Sequence, residues 1–415
     1  MNVLLISTSE RSGGGAIAAR RLMDALNANG VEAKMMVRDA NSTLKGSGGS
    51  VIKVGNKLPK LMERLTILPH ISPSNGGWGG CLWQADIANT GISITRTQAF
   101  READIIHLHW VCQGMLSLDE MGKIMSSGKR VVWTLHDEWP YLGVCHYRGE
   151  CREKECRRCP VLRGSLPYNI CKRKHEMYRR WHPTFVGCSQ WITEQARLAM
   201  PGERVEHINN CIPAATFHPT DKRQARSELS LPQDKRLLLF CSQKVTDERK
   251  GITYLVEALK HLEAIPQGGS GEGAFHLLIV GKNSNRIPLP DGIQATYFGT
   301  VGEQMMSKIY NAADVFLTPS LQDNLPNTIA EAMSCGTPCV GFDVGGIPEM
   351  IDHKQNGYVA RYRDAADLAE GIRYVLAHDL RQAAHSKAAK AYDETIVAQQ
   401  YIKLYSPPKG GRGVL

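Results

Sequence analysis

The sequence predicts an α/β protein made of two parallel-sheet lobes, and three observations carry that expectation. The chain has 415 residues, too many for one ordinary domain at roughly 150 residues each. Short apolar runs recur along it, each bounded by turn residues and alternating with helical patterns. These runs fall into two series, one in each half of the chain. None approaches the ~20 apolar residues that a membrane-spanning helix needs. A hydrophobic content of 42% with 22% charge excludes a disordered chain.

The elements follow in order. Residues 3–6 read as a buried strand, and Ser12-Gly13-Gly14-Gly15 as the turn after it. Ala16, Ala19, Met23 and Leu26 then repeat at 3-4-3 spacing, the signature of one helix face, and Gly30 suits the stop. A strand at 33–37 completes a parallel βαβ unit. Further strands are expected at 104–109, 131–135 and 184–187. Residues 41–100, rich in Gly, Ser, Pro and Asn, read as long surface connections and short helices. In the second series, strands at 237–241, 276–280, 314–318 and 338–342 alternate with helices near 252–262, 302–311 and 326–334. Residues 266–273 read as an exposed loop, and a helix at 395–405 precedes a Pro/Gly tail. The expected division is a first lobe at 1–208 with a cysteine-rich insertion at 145–171, and a second lobe at 209–391. A C-terminal helix and tail, 392–415, would return to the first lobe. Ligands of such sheets sit at the carboxyl ends of the strands.

Fifty basic against forty-one acidic residues give a net charge of +9. Such a surplus ordinarily suggests a polyanionic partner. Most of it is local, however. Residues 145–182 hold eight Arg and three Lys against four Glu, a net +7, and five of the twelve cysteines fall there too. The opening residues lack the basic segment and long apolar stretch of a secretory signal, so a cytoplasmic location is expected. Twelve thiols then do not read as a disulfide framework.

The most informative stretch runs from Pro319 to Pro338. A strand ends at Thr318, a loop carries Asp323, and a helix opens near Pro326 with Glu331 one turn inside it. The N–H groups of Asn327 and Thr328, at the positive end of the helix dipole, are a natural seat for phosphate. Two carboxylates placed on either side can accept hydrogen bonds from sugar hydroxyls. An acidic loop residue and an exposed helix Glu with no ligand would give the same pattern.

Asp323-x7-Glu331 followed by Ala-Met-x-x-Gly-x-Pro resembles the E-x7-E signature of retaining glycosyltransferases of family 4, which have the GT-B fold. Other segments of that family have counterparts in order: Lys244…Arg249-Lys250-Gly251, Asn210…Phe217-His-Pro219, Gly345-Gly-Ile-Pro-Glu349 and Asn356-Gly-Tyr-Val359. Asp323 stands where Glu is usual, and Lys244 where Arg is usual. The resemblance implies two Rossmann-like lobes facing across a cleft, a UDP- or GDP-linked sugar donor, and no catalytic metal. It implies that Glu331 holds the donor ribose, that Asp323 contacts the donor sugar, and that Lys244 and Lys250 meet the diphosphate. Two cations and a helix N-terminus offset the charge of the departing nucleoside diphosphate. Gly14 and Gly15 would lie against the donor, and His136 would meet its sugar.

In the first half, Ile106-His107-Leu108-His109 and Trp133-Thr-Leu-His136-Asp137-Glu-Trp139 end strands. His107 and His109 share a strand face, and core or cleft-lining roles are expected for them rather than a metal. Asp137 is expected either to orient His136 or to face the acceptor. Cys145, Cys151, Cys156 and Cys159 have spacing compatible with a tetrahedral structural zinc, with His146 or Cys171 able to replace one ligand; free or disulfide-paired thiols are the alternative. The Trp-Thr-Leu-His-Asp-x-Trp segment with such cysteines resembles a bacterial surface-polysaccharide branch of family 4. Arg157, Arg158 and their basic neighbours either face water or meet an anionic acceptor. A glycan on polyprenyl diphosphate would bring peripheral contact with the inner face of a membrane.

Three function classes follow. Sugar transfer to a glycan hydroxyl leads. Epimerisation or hydrolysis of a sugar nucleotide on the same fold is second. A nucleic-acid-binding zinc module is third, and it accounts for only the cysteine-rich segment; no nucleic-acid partner is expected.

Overall fold

The structure is a computed structural model and describes residues 1–40, 50–71, 85–153, 155–263, 275–284 and 287–406. The loop expected at 266–273 and the Pro/Gly tail lie outside the described residues. The chain divides into two compact units, Met1–Cys211 with the C-terminal residues from Thr395, and Ile212–Glu394.

The first unit is a seven-stranded sheet: β1 (Asn2–Ser9), β2 (Glu32–Asp39), β3 (Val51–Lys53), β4 (Ile105–Leu108), β5 (Arg130–Leu135), β6 (Thr184–Gly187) and β7 (Val205–His207). Their spatial order is β3-β2-β1-β4-β5-β6-β7, and every pairing is parallel. Alternate residues of β1 go to opposite faces, as a pleated strand requires. Leu4 and Ile6 join one core with Ile106, Leu108 and Trp133. Val3 and Leu5 join another with Ala19, Leu26 and, from the C-terminal helix Glu394–Tyr405, Val397 and Tyr401. The described part of 41–100 holds the expected short helices, Leu58–Ile67 and Gln98–Glu102, but differs from the expectation of surface connections: it adds β3 and buries Ile67, Ala85, Ile87 and Ile94. Residues 41–49 and 72–84 lie outside the described residues.

The second unit is a six-stranded parallel sheet: β8 (Arg236–Lys244), β9 (Phe275–Lys282), β10 (Gln294–Gly299), β11 (Val315–Thr318), β12 (Cys339–Phe342) and β13 (Gly357–Ala360), ordered β10-β9-β8-β11-β12-β13. Both sheets reverse strand order at one place, between β1 and β4 and between β8 and β11. In doubly wound sheets that reversal opens a crevice at the carboxyl ends of the two strands. Among the described residues no helix is long and apolar enough to cross a membrane.

Candidate active site

In the second unit the loops after β8 and β11 are laced together at the strand-order reversal. Leu321 N donates to Arg249 O at 2.7 Å. Gly251 has φ +69°, and a Cβ there would stand 1.7 Å from Pro319 O, so only glycine lets the two backbones meet. Gly345 does the same on the other side: its φ is +59°, and a Cβ would reach Asp323 O at 1.8 Å. Gly346 N also donates to Asn324 O at 2.9 Å. The family-like glycines are thus what hold the Asp323 loop in place.

The loop delivers Asp323 to Lys250, with Nζ 2.5 Å from Oδ2. Asp323 is 8% exposed. Burial pushes its carboxyl up, but Lys250, Arg249 and a hydrogen bond from Ser320 outweigh burial and hold it below the usual range. Arg249 braces the same loop by donating to Gln322 O at 3.2 Å. Lys244, at the exposed end of β8, is placed outside this ion pair.

The helix Asn327–Ser334 begins one residue later than expected, with Pro326 as its N-cap and no side-chain capping bond. Ile329 N bonds to Pro326 O, and Asn327 and Thr328 stand half-buried in the first turn. Glu331 is 7% exposed and accepts a 2.9 Å hydrogen bond from Tyr310 Oη. Cys241, on β8, approaches the same hydroxyl at 3.8 Å. Burial and Glu331 push its thiol up to about 12. Phe217, from the segment resembling an interlobe motif, packs on the Tyr310 ring with centroids 6.2 Å apart. Tyr310 and Cys241 carry no sequence signal of their own, because their proximity to Glu331 is set by the helix Glu303–Ala312 and by β8. The second unit therefore brings Lys250, Asp323, Asn327, Thr328 and Glu331 into adjoining loops and one helix end.

In the first unit the turn after β1 meets the end of β5. Gly14 opens the helix Gly14–Ala28, with Gly13 as N-cap at φ 96°. A Cβ on Gly15 would come within 3.0 Å of His136 Cγ. His136 Nε2 is 3.0 Å from His109 Nδ1, with the rings stacked. Burial lowers the His136 imidazole to about 4 despite neighbouring Asp137. His107 is fully buried between Thr134 Oγ1 at 2.8 Å and Tyr405 Oη at 2.6 Å. Burial and His136 depress it to about 3. Both His107 and His109 thus lie in a neutral, hydrogen-bonded core.

Asp137 departs from the expectation that it orients His136 or faces an acceptor. It is 7% exposed, and its carboxylate accepts from Trp110 Nε1 (2.8 Å), His146 Nδ1 (2.8 Å) and Trp139 N (3.0 Å). All three donors lie outside the His136 ring, so the group braces the loop behind it.

The four expected thiols lie near one another in the cysteine segment. Cys145 interacts most with Cys159 and then with Cys156 and Cys151, and Cys171, on the helix Leu166–Trp181, approaches Cys156. Cys159 Sγ accepts from Leu162 N and Cys156 Sγ from Gly143 N. The neighbouring Cys145 and Cys171 thiols hold Cys159 and Cys156 below the ordinary thiol value. Arg157 and Arg158 are exposed. Arg157 bonds Glu155 and lies 4.3 Å over the Tyr168 ring.

Residues 235–378 match the family model described as glycosyl transferases group 1. An uncharacterized glycosyltransferase of Methanocaldococcus jannaschii is 27% identical over 68% of this chain and 76% of its own length. A D-inositol 3-phosphate glycosyltransferase of Catenulispora acidiphila is 28% identical over 68% of this chain and 65% of its own length. Among solved structures, the sucrose-phosphate synthase of Thermosynechococcus elongatus superposes with a TM-score of 0.68 at 19% identity, covering 97% of this chain and 98% of that one. HepE of Anabaena, solved with UDP-glucose, has a TM-score of 0.63 at 16% identity, covering 97% and 99%. With two parallel Rossmann-like sheets and a group 1 match over the unit that carries Asp323 and Glu331, the chain is a GT-B glycosyltransferase.

Proposed function

We propose that the chain is a retaining, family 4 enzyme that transfers a sugar from a UDP- or GDP-linked donor to a glycan hydroxyl during cell-surface polysaccharide synthesis. The observation that carries this reading is the joined pair of loops at the strand-order reversal of the second unit. There Lys250 sits on Asp323 beside the Tyr310–Glu331 hydrogen bond. HepE, similar in fold, is described as bound to UDP-glucose, and a nucleotide sugar suits the chemistry of these residues.

In this reading Glu331, its carboxylate oriented by Tyr310, accepts from the donor ribose hydroxyls. Asp323 accepts from the donor sugar. Lys250, with Lys244 and the first-turn N–H groups of Asn327–Ser334, stabilises the charge that builds on the leaving diphosphate. A cation and helix dipole already in place need no reorganisation at the transition state, and this is where such groups lower the barrier most. The leaving phosphate then assists deprotonation of the acceptor hydroxyl, so no catalytic metal is needed.

The reading extends to a lipid-linked, anionic acceptor met by the basic segment around Arg157 and Arg158. It places the enzyme in the cytoplasm, in peripheral contact with the membrane's inner face. It also includes a structural zinc held by thiols of the cysteine segment, with Cys171 available in place of Cys151. The deciding experiment on the donor site is Glu331→Gln. Donor binding and turnover should fall by tenfold or more, the order expected for a hydrogen bond to a charged group worth about 1.5–3 kcal/mol. Turnover equal to wild type would sink the assignment.

A further inference from the structure

We infer that Asp86, Cys112 and His146 form a site for a borderline divalent cation of the Zn2+ class in the first unit, distinct from the thiols of the cysteine segment and from the donor site. Three segments meet there. A bridge between Ala85 and Cys145 aligns the chain ends, and Asp86 N donates to Val144 O at 2.8 Å. Cys112 lies in the turn after β4, its carbonyl fixed by Thr8 Oγ1 at 2.8 Å. One carboxylate oxygen, one Sγ and one imidazole nitrogen then lie within 4.8 Å of one another. Asp86 is fully buried and Cys112 is 2% exposed, while the His146 side chain is 13% exposed. The site therefore has a single wet edge.

His146 is the ligand whose role the hydrogen bonding defines. A carboxylate can only accept, so the 2.8 Å contact with Asp137 Oδ2 puts the ring proton on Nδ1. The Nε2 lone pair is left buried and without a hydrogen-bond partner. Asp137 is itself fixed by Trp110 Nε1 and Trp139 N. A buried carboxylate orienting a histidine whose other nitrogen is unpartnered is the arrangement that supports metal-bound histidines.

Asp86 is held as firmly. Its Oδ1 accepts from Ala88 N at 3.3 Å and its Oδ2 from Gln113 N. Ala88 (φ 46°) and Gln113 (φ 56°) both adopt the left-handed conformation without being glycine. That costs about 1–2 kcal/mol each, and the strain turns both N–H groups onto the carboxylate. Arg64 Nη2 forms an ion pair with the same Oδ2 at 3.7 Å, and the carboxyl of buried Glu63, pushed up to about 9 by burial and Asp86, adjoins it.

The donor set selects the metal class. Sulfur, imidazole nitrogen and one carboxylate oxygen suit Zn2+, whereas Mg2+ and Ca2+ favour all-oxygen cages. A thiolate and a carboxylate offset most of a divalent charge beside the Arg64–Asp86 ion pair. Three protein ligands leave one coordination position, on the His146 edge beside half-buried Trp110.

The full chain, purified in metal-scrubbed buffer and titrated with Zn2+ or Co2+, tests this by elemental analysis and by thiolate-to-cobalt charge-transfer absorption. Cys112→Ser should remove one bound equivalent that Cys159→Ser retains, and Asp137→Asn should weaken binding by about tenfold to a hundredfold. Cys112→Ala, which places no polar group in the buried position, and Asp86→Asn serve if Cys112→Ser does not fold. Wild-type protein that binds no metal, or metal lost only when Cys145, Cys156 or Cys159 is replaced, overturns the inference. Neither readout depends on sugar transfer, so failure here is distinguishable from failure of the donor-site assignment.

Discussion

Lys250 Nζ and Asp323 Oδ2 lie 2.5 Å apart between the loops that follow β8 and β11. Asp323 is the more buried partner, with its side chain 10% exposed against 22% for Lys250. The pair therefore depends on the lysine: without it, a carboxylate would be buried among groups that only partly compensate it.

Lys250→Met should expose this dependence as a function of pH. In the wild type, Lys250 and Arg249 hold the Asp323 carboxyl below its usual value against burial. Its stabilisation is thus fully present above the unfolded carboxyl pKa of about 3.9 and lost as pH falls through the lower folded value. With Lys250 gone, burial dominates and the carboxyl moves up. The stability gap between wild type and variant should be small near pH 3 and grow toward about 3 kcal/mol at pH 7, the order measured for broken buried pairs. Urea denaturation at several pH values reads it, and a gap that is flat with pH rules out the coupling.

Gly251→Ala and Gly345→Ala should each cost more than the φ penalty of about 1 kcal/mol for a left-handed residue. The added methyl groups would meet Pro319 O and Asp323 O at 1.7 and 1.8 Å. Gly13→Ala is the control, because its φ is +96° but nothing lies within 4 Å of the added Cβ. Thermal unfolding should rank Gly13→Ala as the mildest of the three, and donor affinity should fall in the other two. Equal melting temperatures across the set would mean that the loops yield freely.

These glycines show what was legible in the sequence and why. The spacing from Asp323 to Glu331 is local, spanning one loop and one helix turn, so a linear reading finds it. Tyr310 and Cys241 reach Glu331 only through the packing of β8 and the helix Glu303–Ala312, and no spacing rule encodes that. Asp137 misled for the same reason: its partners Trp110 and His146 come from separate segments. Strand β10 (half-exposed, without an unbroken apolar run) and the four-residue β13 gave too little signal. The cysteine spacing gave four thiols with Cys171 as an alternate, but that Cys171 approaches Cys156 is set by the packing of the helix Leu166–Trp181 and not by spacing.

The histidine core predicts a second pH effect. Burial holds His136 near 4 and His107 near 3 in the fold, against about 6.5 when unfolded. Between those values the unfolded chain binds the extra protons, so stability rises with pH through this window and is fully present above about 6.5. His136→Gln should flatten the rise by about 3 kcal/mol, from a shift of two to three units at 1.36 kcal/mol each. Denaturation midpoints at pH 4.0 and 7.0 measure this, and an unchanged slope in the variant would contradict a neutral, buried His136.

The basic segment gives the last prediction. Arg157 stacks on Tyr168 and bonds Glu155, yet remains 60% exposed, so its guanidinium can still meet a phosphate from solvent. Arg158 is exposed beside it. Exposed surface pairs such as Arg157–Glu155 contribute little to stability, so replacing both arginines by serine should leave the melting temperature nearly unchanged. If the segment receives an anionic acceptor, the double variant should raise acceptor KM several-fold, leave donor KM within twofold, and weaken the salt dependence of acceptor binding. An acceptor KM equal to wild type would return these charges to the solvated surface, and a rise in donor KM alone would assign them to the donor instead.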